Sequence, residues 1–464
     1  MPSDGLSLLD SIHARGAPSG QLRGTLGTIA LADLPRATAF GDALEKLRGR
    51  SVLLAARDQL SAALSLLELD GVARRMVLCT PDLKPEHLPG VIRTAEVDAC
   101  VRDEGSAPAP EIGIAEAVPV RPGLAPLRAP RRRTATTEWI LLTSGTTGAP
   151  KLVLHTLASL THALAGQPPP EQPVTWSTFY DIRRYGGLQI FLRAVHLGSL
   201  VLSDPREAVG EFFDRVAAAG VTHISGTPSH WRKALMSGLT ARIHPGYVRL
   251  SGEIPDQAVL DGLKAAYPKA IVAHAFASTE AGVAFEVRDG RAGFPVTLVG
   301  APGAAVELKV SEETLRIRSG GTAQRYLGEG AEPLRGPDGF VDTGDRVEER
   351  DGRYYFLGRR GGIINVGGLK VYPEEVEAVI NSHPWVRLSL VRPRRNPITG
   401  AVVAAEVVLK EPQAGEDRPA PELLVREVTE RCRQRLAAHK VPAMIRIVPS
   451  LEISPSGKLV RPGA

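Results

Sequence analysis

The segment Leu142-Thr143-Ser144-Gly145-Thr146-Thr147-Gly148-Ala149-Pro150-Lys151 follows the apolar run Trp139–Leu142, which predicts a strand. From Thr143 to Lys151 it holds four hydroxyl side chains, two glycines and a lysine. Glycines allow close backbone approach, while hydroxyls, amides and an ammonium bind phosphate oxygens. The segment therefore predicts a polyphosphate-binding loop, with a polar turn as the alternative. It is not a Walker A loop, because Pro150 stands where that motif needs glycine.

Strands and helices alternate on both sides of this loop. Upstream, Ser51–Ala56 and Arg75–Thr80 are predicted strands that flank a helix at Gln59–Leu69. Downstream, the sequence predicts strands and helices in alternation at Ser199–Ser203, Pro205–Ala219, Val221–Ser225 and Pro228–Ser237. Such alternation predicts an α/β fold built on parallel, helix-covered sheets.

The remaining part of the chain has a different pattern. Residues of about 295–360 contain short alternating strands between glycine turns, which predicts a small antiparallel β subdomain. The pair Gly361–Gly362 marks a boundary, and a compact α+β region follows it. We therefore expect a large N-terminal domain at residues 1–360 and a small C-terminal domain at residues 361–464.

Composition narrows the function classes. The chain has 464 residues, is 43% hydrophobic and carries a net charge of +5. Its three cysteines lack metal-ligand or redox spacing, and no stretch approaches the roughly 20 apolar residues of a membrane span. The basic run Arg131–Arg133 is interpreted as a solvated linker cluster rather than a phosphate-binding patch. The cysteine usage favours a reducing compartment, so we expect a cytoplasmic protein. We expect it to bind no nucleic acid, because its net charge is small and no basic–aromatic stripe is present.

Further motifs follow the loop in a fixed order. They are Phe276-Ala277-Ser278-Thr279-Glu280, Asp338–Asp345, Gly358-Arg359, Gly367–Glu377 and Pro455–Arg461. Together with the loop, they resemble the signature motifs of the adenylate-forming superfamily, which includes acyl-CoA synthetases, peptide-synthetase adenylation domains and luciferases. The resemblance extends from about residue 50 to the end of the chain.

The resemblance implies that the chain binds ATP and Mg²⁺ and joins a small carboxylic acid to AMP. Lys458 would stabilise charge in the transition state, Glu280 would hold Mg²⁺, and Asp345 would bind the ribose hydroxyls. Thr143 and Arg359 complete the implied catalytic set, with Arg359 at the ribose or phosphate. The implied nucleotide contacts also include Ser144, Gly145, Thr146, Thr147, Gly148, Lys151, Ser251, Gly252, Glu253, Phe276, Ala277, Ser278 and Thr279. Among these, Phe276 would lie against adenine.

A second half-reaction is implied for the C-terminal domain. That domain would be mobile, turning about a hinge at Arg360 and Gly361 after adenylation. Gly367 and Gly368 would then border a tunnel for the thiol of coenzyme A or of a carrier-protein pantetheine. A glycine at the hinge departs from the usual Asp or Lys, which should loosen the hinge without removing any chemistry.

Two further departures concern the acid pocket, for which Arg184, Tyr185, Gly186 and Ala277 are the candidates. Arg184 stands where many acyl-CoA synthetases carry histidine, although the register also permits Arg183. It is expected either to pair with a second carboxylate on the substrate or to contact phosphate or a nearby acid. Ala277 adds a methyl group that would shorten the pocket.

The leading hypothesis is an ATP-dependent acid–thiol ligase that forms a thioester with coenzyme A. One alternative is a stand-alone adenylation enzyme that loads a carrier protein. Peptide-synthetase domains usually hold the substrate amine with an aspartate that follows an aromatic residue, and Tyr180-Asp181 is similar to that pair. An amino acid substrate nevertheless ranks lower, because the two arginines that come soon after the pair are not typical of such domains. A non-catalytic nucleotide-binding relative is the other alternative, and the presence of Lys458 argues against it.

Overall fold

The computed structural model describes residues 7–14, 19–106, 114, 116–128, 131, 135–143, 149–167, 170–397, 399–412, 418–454 and 458–460. Its α-helices are Leu8–His13, Gln59–Leu69, Leu88–Thr94, Leu157–Thr161, Tyr185–Leu197, Val209–Ala218, Pro228–Met236, Gln257–Ala266, Pro373–Asn381 and Pro421–Arg435. None of these described helices is long and apolar enough to cross a bilayer.

The largest sheet has eight strands. Their spatial order is Gly282–Val287, Ile271–Ser278, Tyr247–Ser251, His223–Gly226, Val174–Thr178, Gly198–Val201, Gln21–Arg23 and Thr28–Ala30. The six inner strands pair in parallel, and the two edge strands are antiparallel to them. Helices from both sides bury its apolar residues, so the prediction of a parallel, helix-covered sheet is confirmed.

A second sheet of seven strands carries the predicted phosphate loop. Its spatial order is Arg325–Leu327, Lys151–His155, Glu138–Thr143, Arg75–Leu78, Ser51–Leu54, Ala99–Asp103 and Glu116–Val120. The last five pair in parallel, whereas the first two are antiparallel additions. The loop therefore joins two antiparallel strands at one side of the parallel set.

A third sheet forms the predicted β subdomain. It is antiparallel throughout, in the order Phe294–Pro295, Arg353–Arg359, Val341–Arg350, Thr314–Ser319 and Val306–Ser311. One strand within the predicted range does not join it. Arg325–Leu327 pairs instead with Lys151–His155 of the seven-stranded sheet, which ties the subdomain to the phosphate loop.

The C-terminal region has a separate apolar core. Strands Val386–Asn396, Gly400–Leu409 and Met444–Ile447 form its sheet, against which the helices Pro373–Asn381 and Pro421–Arg435 pack. Two short strand pairs complete the fold, Ile364–Val366 with Leu369–Val371 and Ala37–Thr38 with Ala125–Pro126. The division of the chain at residue 360 stays a prediction.

Local side chains explain where the sequence predictions were exact and where they were wrong. Helix Gln59–Leu69 has its predicted bounds, because Asp58 caps its first turn by accepting the amide of Ser61 at 2.7 Å. The helix predicted from Pro205 begins only at Val209, since the Asp204 carboxylate instead accepts the amide of Arg206 in a turn.

The interpretation of Arg131 as solvated linker charge was wrong. Its guanidinium bonds the buried carboxylate of Glu68 at 2.8 Å and the carbonyl oxygen of Ala37 at 2.6 Å. A buried carboxylate needs such a partner, so Arg131 has a structural role and links Ala37 to Glu68. Arg132 and Arg133 lie outside the described residues.

Candidate functional site

The ends of the predicted phosphate loop face each other across a strand pair. Thr143 ends one strand, Lys151 begins the next, and the two are register partners. Ser144, Gly145, Thr146, Thr147 and Gly148 lie outside the described residues. The loop thus starts and finishes at one place, at the carboxyl end of the strand Glu138–Thr143.

Tyr326 connects this loop to Glu280. The Lys151 ammonium lies 5.0 Å from the centre of the Tyr326 ring, and the Tyr326 hydroxyl donates to Glu280 Oε1 at 3.3 Å. Burial and the Glu280 carboxylate raise the pKa of Tyr326, which keeps its hydroxyl protonated as a donor. Sequence reasoning missed this residue, because only the pairing of Arg325–Leu327 with Lys151–His155 brings it there.

His155 fixes the segment before Glu280. Its Nε2 lies 2.7 Å from the Thr279 carbonyl oxygen, and its Nδ1 lies 2.9 Å from the Ser159 hydroxyl. Burial lowers the pKa of His155 to about 4, so the ring is neutral at physiological pH. Nε2 must then carry the proton for the carbonyl, and Nδ1 accepts from Ser159. No motif or pattern pointed to this second missed residue.

Phe276 lies in a stack of aromatic rings. Its ring centre is 4.8 Å from that of Phe356 and 5.8 Å from that of Phe285, with both pairs nearly parallel. Phe356 comes from the strand Arg353–Arg359, so the third sheet supports the ring from one side. Ala277 follows a bulge in the strand and faces the opposite side, where it packs with Val283 against the largest core.

Asp345 and Arg359 are register partners on adjacent strands of the third sheet. Arg359 Nε lies 3.4 Å from Asp345 Oδ1, and the Arg359 side chain remains 67% exposed. Burial raises the pKa of Asp345, although Arg359 and Lys458 oppose that shift. The carboxylate is thus largely buried, and the side chains of Arg359 and Thr343 both hydrogen-bond to it.

Lys458 lies at the carboxyl end of the strand Tyr247–Ser251. A Cβ atom on Gly252 would stand 3.5 Å from Lys458 Cε, and Gly252 has a φ of +88° that favours glycine. Surrounding protein lowers the pKa of Lys458, and Arg359 adds to this effect. In the part of the chain that the structure describes, no group hydrogen-bonds to its ammonium.

Glu253 holds the chain next to Lys458. Its carboxylate accepts the Leu459 amide at 3.1 Å, and it also accepts the amide and hydroxyl of Ser229 at 2.9 and 3.0 Å. The resemblance had implied that Glu253 is one of the nucleotide contacts. The contact made here instead joins the start of helix Pro228–Met236 to the C-terminal segment. Pro455, Ser456, Gly457 and Arg461 lie outside the described residues.

The two arginines before helix Tyr185–Leu197 both have carboxylate partners. The Arg184 Nη2 bonds both oxygens of Asp82, at 2.6 and 2.5 Å. A contact with a nearby acid was one of the alternatives that the sequence left open for Arg184. Arg183 is fully buried and bonds Asp181 at 2.8 and 2.5 Å. Asp181 is therefore engaged by an arginine where a pocket for amino acids would need it for the substrate amine.

Tyr185 and Gly186 begin the helix beside Tyr180. The Tyr180 hydroxyl donates to the Ser251 carbonyl oxygen at 2.7 Å, and a Cβ on Gly186 would stand 3.8 Å from the Tyr180 ring. The Tyr185 side chain is buried. These candidates for the acid pocket thus adjoin the same strand end as Lys458.

The predicted tunnel and hinge residues lie in turns. Gly367 and Gly368 have φ values of +58° and +86° between two short strands, and the Gly367 amide donates to Thr399 at 3.0 Å. Arg360 Nη2 lies 3.2 Å from Asp342 Oδ2, and Gly361 follows Arg360 in a 3₁₀ turn. A Cβ on Gly361 would meet nothing within 4 Å, so space does not require glycine there.

Comparison with known proteins identifies a family. A family model described as AMP-binding enzyme matches residues 48–328, and one described as AMP-binding enzyme C-terminal domain matches residues 375–458. A mitochondrial acyl-coenzyme A synthetase of Mus musculus is 37% identical over 123 residues, covering 26% of this chain and 21% of that protein. A 2-succinylbenzoate–CoA ligase of Salmonella typhimurium is 30% identical over 260 residues, covering 54% of each.

The chain thus spans about a fifth of the mouse relative's length and about half of the Salmonella relative's length. Among solved structures, a benzoate CoA ligase from Burkholderia xenovorans has the same fold, with a TM-score of 0.79. It shares 20% sequence identity, and the match covers 98% of each chain. These findings confirm the fold class predicted from the sequence.

Proposed function

Because the chain belongs to the AMP-binding enzyme family, we propose that it activates a carboxylic acid with ATP and transfers the acyl group to coenzyme A. The observation that carries the proposal is the meeting of Lys458, Gly252 and Asp345 around one strand end. A non-catalytic nucleotide-binding protein has no need of an ammonium at this point. Adenylation needs one, because charge grows on the α-phosphate as the carboxylate attacks.

The described side chains divide the work of the first half-reaction. Asp345 accepts hydrogen bonds from the ribose hydroxyls, and the Phe276 ring lies against adenine. Lys151 attracts the β- and γ-phosphates at the end of the loop. Lys458 approaches the acid carboxylate and the α-phosphate together, so that it orients the nucleophile and stabilises the transition state.

The residues around Glu280 fit a magnesium ion. Mg²⁺ prefers oxygen ligands and is commonly held by one or two carboxylates together with substrate phosphates. Glu280 supplies one such carboxylate, which the Tyr326 hydroxyl orients, near the end of the phosphate loop. When bound, the ion neutralises the charge of the pyrophosphate that leaves.

We further propose that residues 361–464 move as a unit between the half-reactions, about a hinge at Arg360 and Gly361. Rotation would withdraw Lys458 and bring Gly367 and Gly368 to the strand end. Their lack of side chains suits a narrow passage for a pantetheine arm. Coenzyme A and a carrier-protein pantetheine present the same thiol arm, and we favour coenzyme A because the named relatives are coenzyme A ligases.

The test is ATP–pyrophosphate exchange with a panel of monocarboxylic, dicarboxylic, aryl, amino and fatty acids. The proposal expects exchange with at least one class, followed by thioester formation when coenzyme A is added. A carrier protein bearing pantetheine is the competing acceptor. Faster transfer to the carrier than to coenzyme A would replace the second half of the proposal and leave the first intact.

Glu253→Gln should slow adenylation by about 10-fold. The glutamine NH₂ group would replace one carboxylate oxygen and would face a group of Ser229 or Leu459 that now donates a hydrogen bond to that oxygen. Thioester formation from synthetic acyl-AMP should not change, since the Leu459 contact belongs only to the pose described here. Stopped-flow measurement of each half-reaction checks this split. Glu430→Gln, on an exposed helix face, is the control. Equal slowing of both half-reactions would mean that Glu253 has no role specific to this pose.

Tyr326→Phe should raise the Mg²⁺ concentration needed for half-maximal exchange by roughly 3- to 10-fold, since the hydroxyl that orients Glu280 is lost. The ring that faces Lys151 remains, so KM for ATP should change less. Titration of exchange activity with Mg²⁺ measures the effect. An unchanged Mg²⁺ dependence would show that the contact with Glu280 is incidental.

A further inference from the structure

Two buried arginines lie between helix Tyr185–Leu197 and the eight-stranded sheet. Arg249 comes from the strand Tyr247–Ser251 and is 2% exposed, while Arg193 comes from the helix and is 9% exposed. Neither belongs to the motifs that define the nucleotide site. Burial of a guanidinium is costly unless an anion and hydrogen-bond acceptors accompany it.

The acceptors present do not satisfy this pair. Arg249 Nε bonds Glu286 Oε2 at 3.1 Å, but its Nη2 is buried and has no partner among the described residues. Among the described residues, Arg193 bonds the carbonyl oxygen of Gln189, at 3.3 Å, and no described carboxylate lies within ion-pair distance of it. Burial and the neighbouring Arg249 lower the pKa of Arg193 to about 10.

Glu286 cannot balance both cations. Its second oxygen bonds Arg288 at 2.7 Å, and Tyr247 also donates to it. Burial opposes the ionisation of Glu286, yet Arg249, Tyr247 and Arg288 together lower its pKa. Glu286 therefore forms ion pairs with two arginines, and it acts on Arg193 only from a greater distance. The interior between helix and sheet carries an excess of positive charge.

This charge lies behind the proposed reaction centre. Arg249 precedes Gly252 by three residues, so along the strand it stands about 10 Å from the point that Lys458 approaches. On the neighbouring strand, Ala273 and Ala275 are the register partners of Arg249 and Ser251. Both partners have the smallest side chains that carry a Cβ atom, and both are buried. Tyr185 is close enough to Arg249 and Arg193 for their charges to act on its hydroxyl.

We propose that Arg249, with Arg193 beside it, binds a second carboxylate at the far end of the substrate, so that the acid activated by this chain is a dicarboxylic acid. The inference rests on the proposed function and names its substrate class. It places the second carboxylate at Arg249 rather than at Arg184, whose Nη2 bonds both oxygens of Asp82. The guanidinium of Arg249 keeps an unused Nη2 donor, as carboxylate recognition requires.

The first experiment uses the wild-type protein. Exchange is measured with dicarboxylic acids of increasing length, each matched with the monoamide that keeps its shape and loses the second charge. The proposal expects kcat/KM for the best diacid to exceed that for its monoamide by roughly 10- to 100-fold, the value of hydrogen bonds to a buried charge. No preference for the diacid at any length overturns it.

The second experiment uses Arg249→Gln and Arg249→Lys. Glutamine should lower the diacid-to-monoamide ratio by roughly 10- to 100-fold, whereas lysine should restore part of it. The matched control is Arg75→Gln, another buried strand arginine with a glutamate partner, which lies in the other sheet. It should lower stability without changing the ratio. An equal loss for diacid and monoamide in Arg249→Gln would assign Arg249 to structure alone and overturn the proposal.

Equilibrium binding separates this inference from the function on which it rests. Diacids and monoamides are titrated into the wild-type protein by calorimetry, with and without ATP. Preferential diacid binding without any exchange would support the arginine site and contradict adenylation. Exchange that favours monocarboxylic acids would support adenylation and contradict the arginine site. Neither binding nor exchange would overturn both.

Discussion

Replacing Lys458 with alanine is expected to lower the rate of ATP–pyrophosphate exchange by roughly 10²- to 10³-fold, the usual cost of removing one preorganised charge-stabilising donor. The Lys458 Cε position beside Gly252 carries this expectation, because the α-phosphate and the acid carboxylate must meet at that strand end. KM for ATP should change far less, since most of its binding contacts are elsewhere. Exchange kinetics with saturating acid measure both parameters.

A control separates charge loss from misfolding. Lys410→Ala removes an exposed lysine from the same C-terminal region and should leave exchange unchanged. In Lys458→Ala, thioester formation from synthetic acyl-AMP should continue, because that step needs no charge on the α-phosphate. A variant that retains more than about a tenth of wild-type exchange would contradict the role given to Lys458.

The charge of Lys458 also predicts a pH dependence. Only the ammonium form stabilises the transition state, so exchange should decline as Lys458 loses its proton. Because its surroundings and Arg359 lower the pKa of Lys458, this decline should begin at lower pH than an ordinary lysine would give. A pH–rate profile of exchange checks the position of the alkaline limb.

Asp345→Asn is expected to lower kcat/KM for ATP by about 10²-fold. The two hydrogen bonds from the ribose hydroxyls to a charged carboxylate would become weaker bonds to a neutral amide. The loss should be smaller with 2′-deoxy-ATP, which offers only one of these hydroxyls to either protein. Comparison of the two nucleotides with both proteins checks the assignment. An equal loss for both nucleotides would place Asp345 away from the ribose.

The same substitution should raise the thermal stability of the unliganded protein at neutral pH. Burial raises the folded-state pKa of Asp345, so the folded state binds its proton more tightly than the unfolded state does. The wild-type protein therefore loses stability as pH rises from the ordinary aspartate pKa, about 3.9, through the folded pKa. Asparagine carries no such charge. The difference in Tm between Asp345→Asn and the wild-type protein should therefore be absent below the ordinary aspartate pKa. It should reach its full size above the folded-state pKa.

The sequence predicted those parts of the fold that depend on local patterns. Helix Gln59–Leu69 was exact because its cap and its apolar positions lie within a few residues of one another. The strands around the phosphate loop were located to within one or two residues, since apolar runs identify buried strands. The roles predicted for Lys458 and Asp345 likewise rest on motifs formed by their immediate neighbours, and they stay predictions.

What the sequence could not predict depends on pairings between distant residues. Tyr326 meets Glu280 only because a short strand leaves the β subdomain for another sheet. Arg184 pairs with Asp82 across 102 residues, a partner that local spacing could not identify. Arg249 gave no signal at all, because an arginine in a predicted strand does not reveal whether a carboxylate will face it.

Trapping of the acyl-adenylate shows whether this chain joins an acid to AMP. The protein is incubated with ATP, Mg²⁺ and a panel of dicarboxylic and monocarboxylic acids without coenzyme A, and the enzyme-bound products are identified by mass spectrometry. We predict an acyl-AMP and an equal amount of pyrophosphate with wild-type protein, and neither with Lys458→Ala. ATP that binds to the protein but gives no acyl-AMP with any acid would contradict the account.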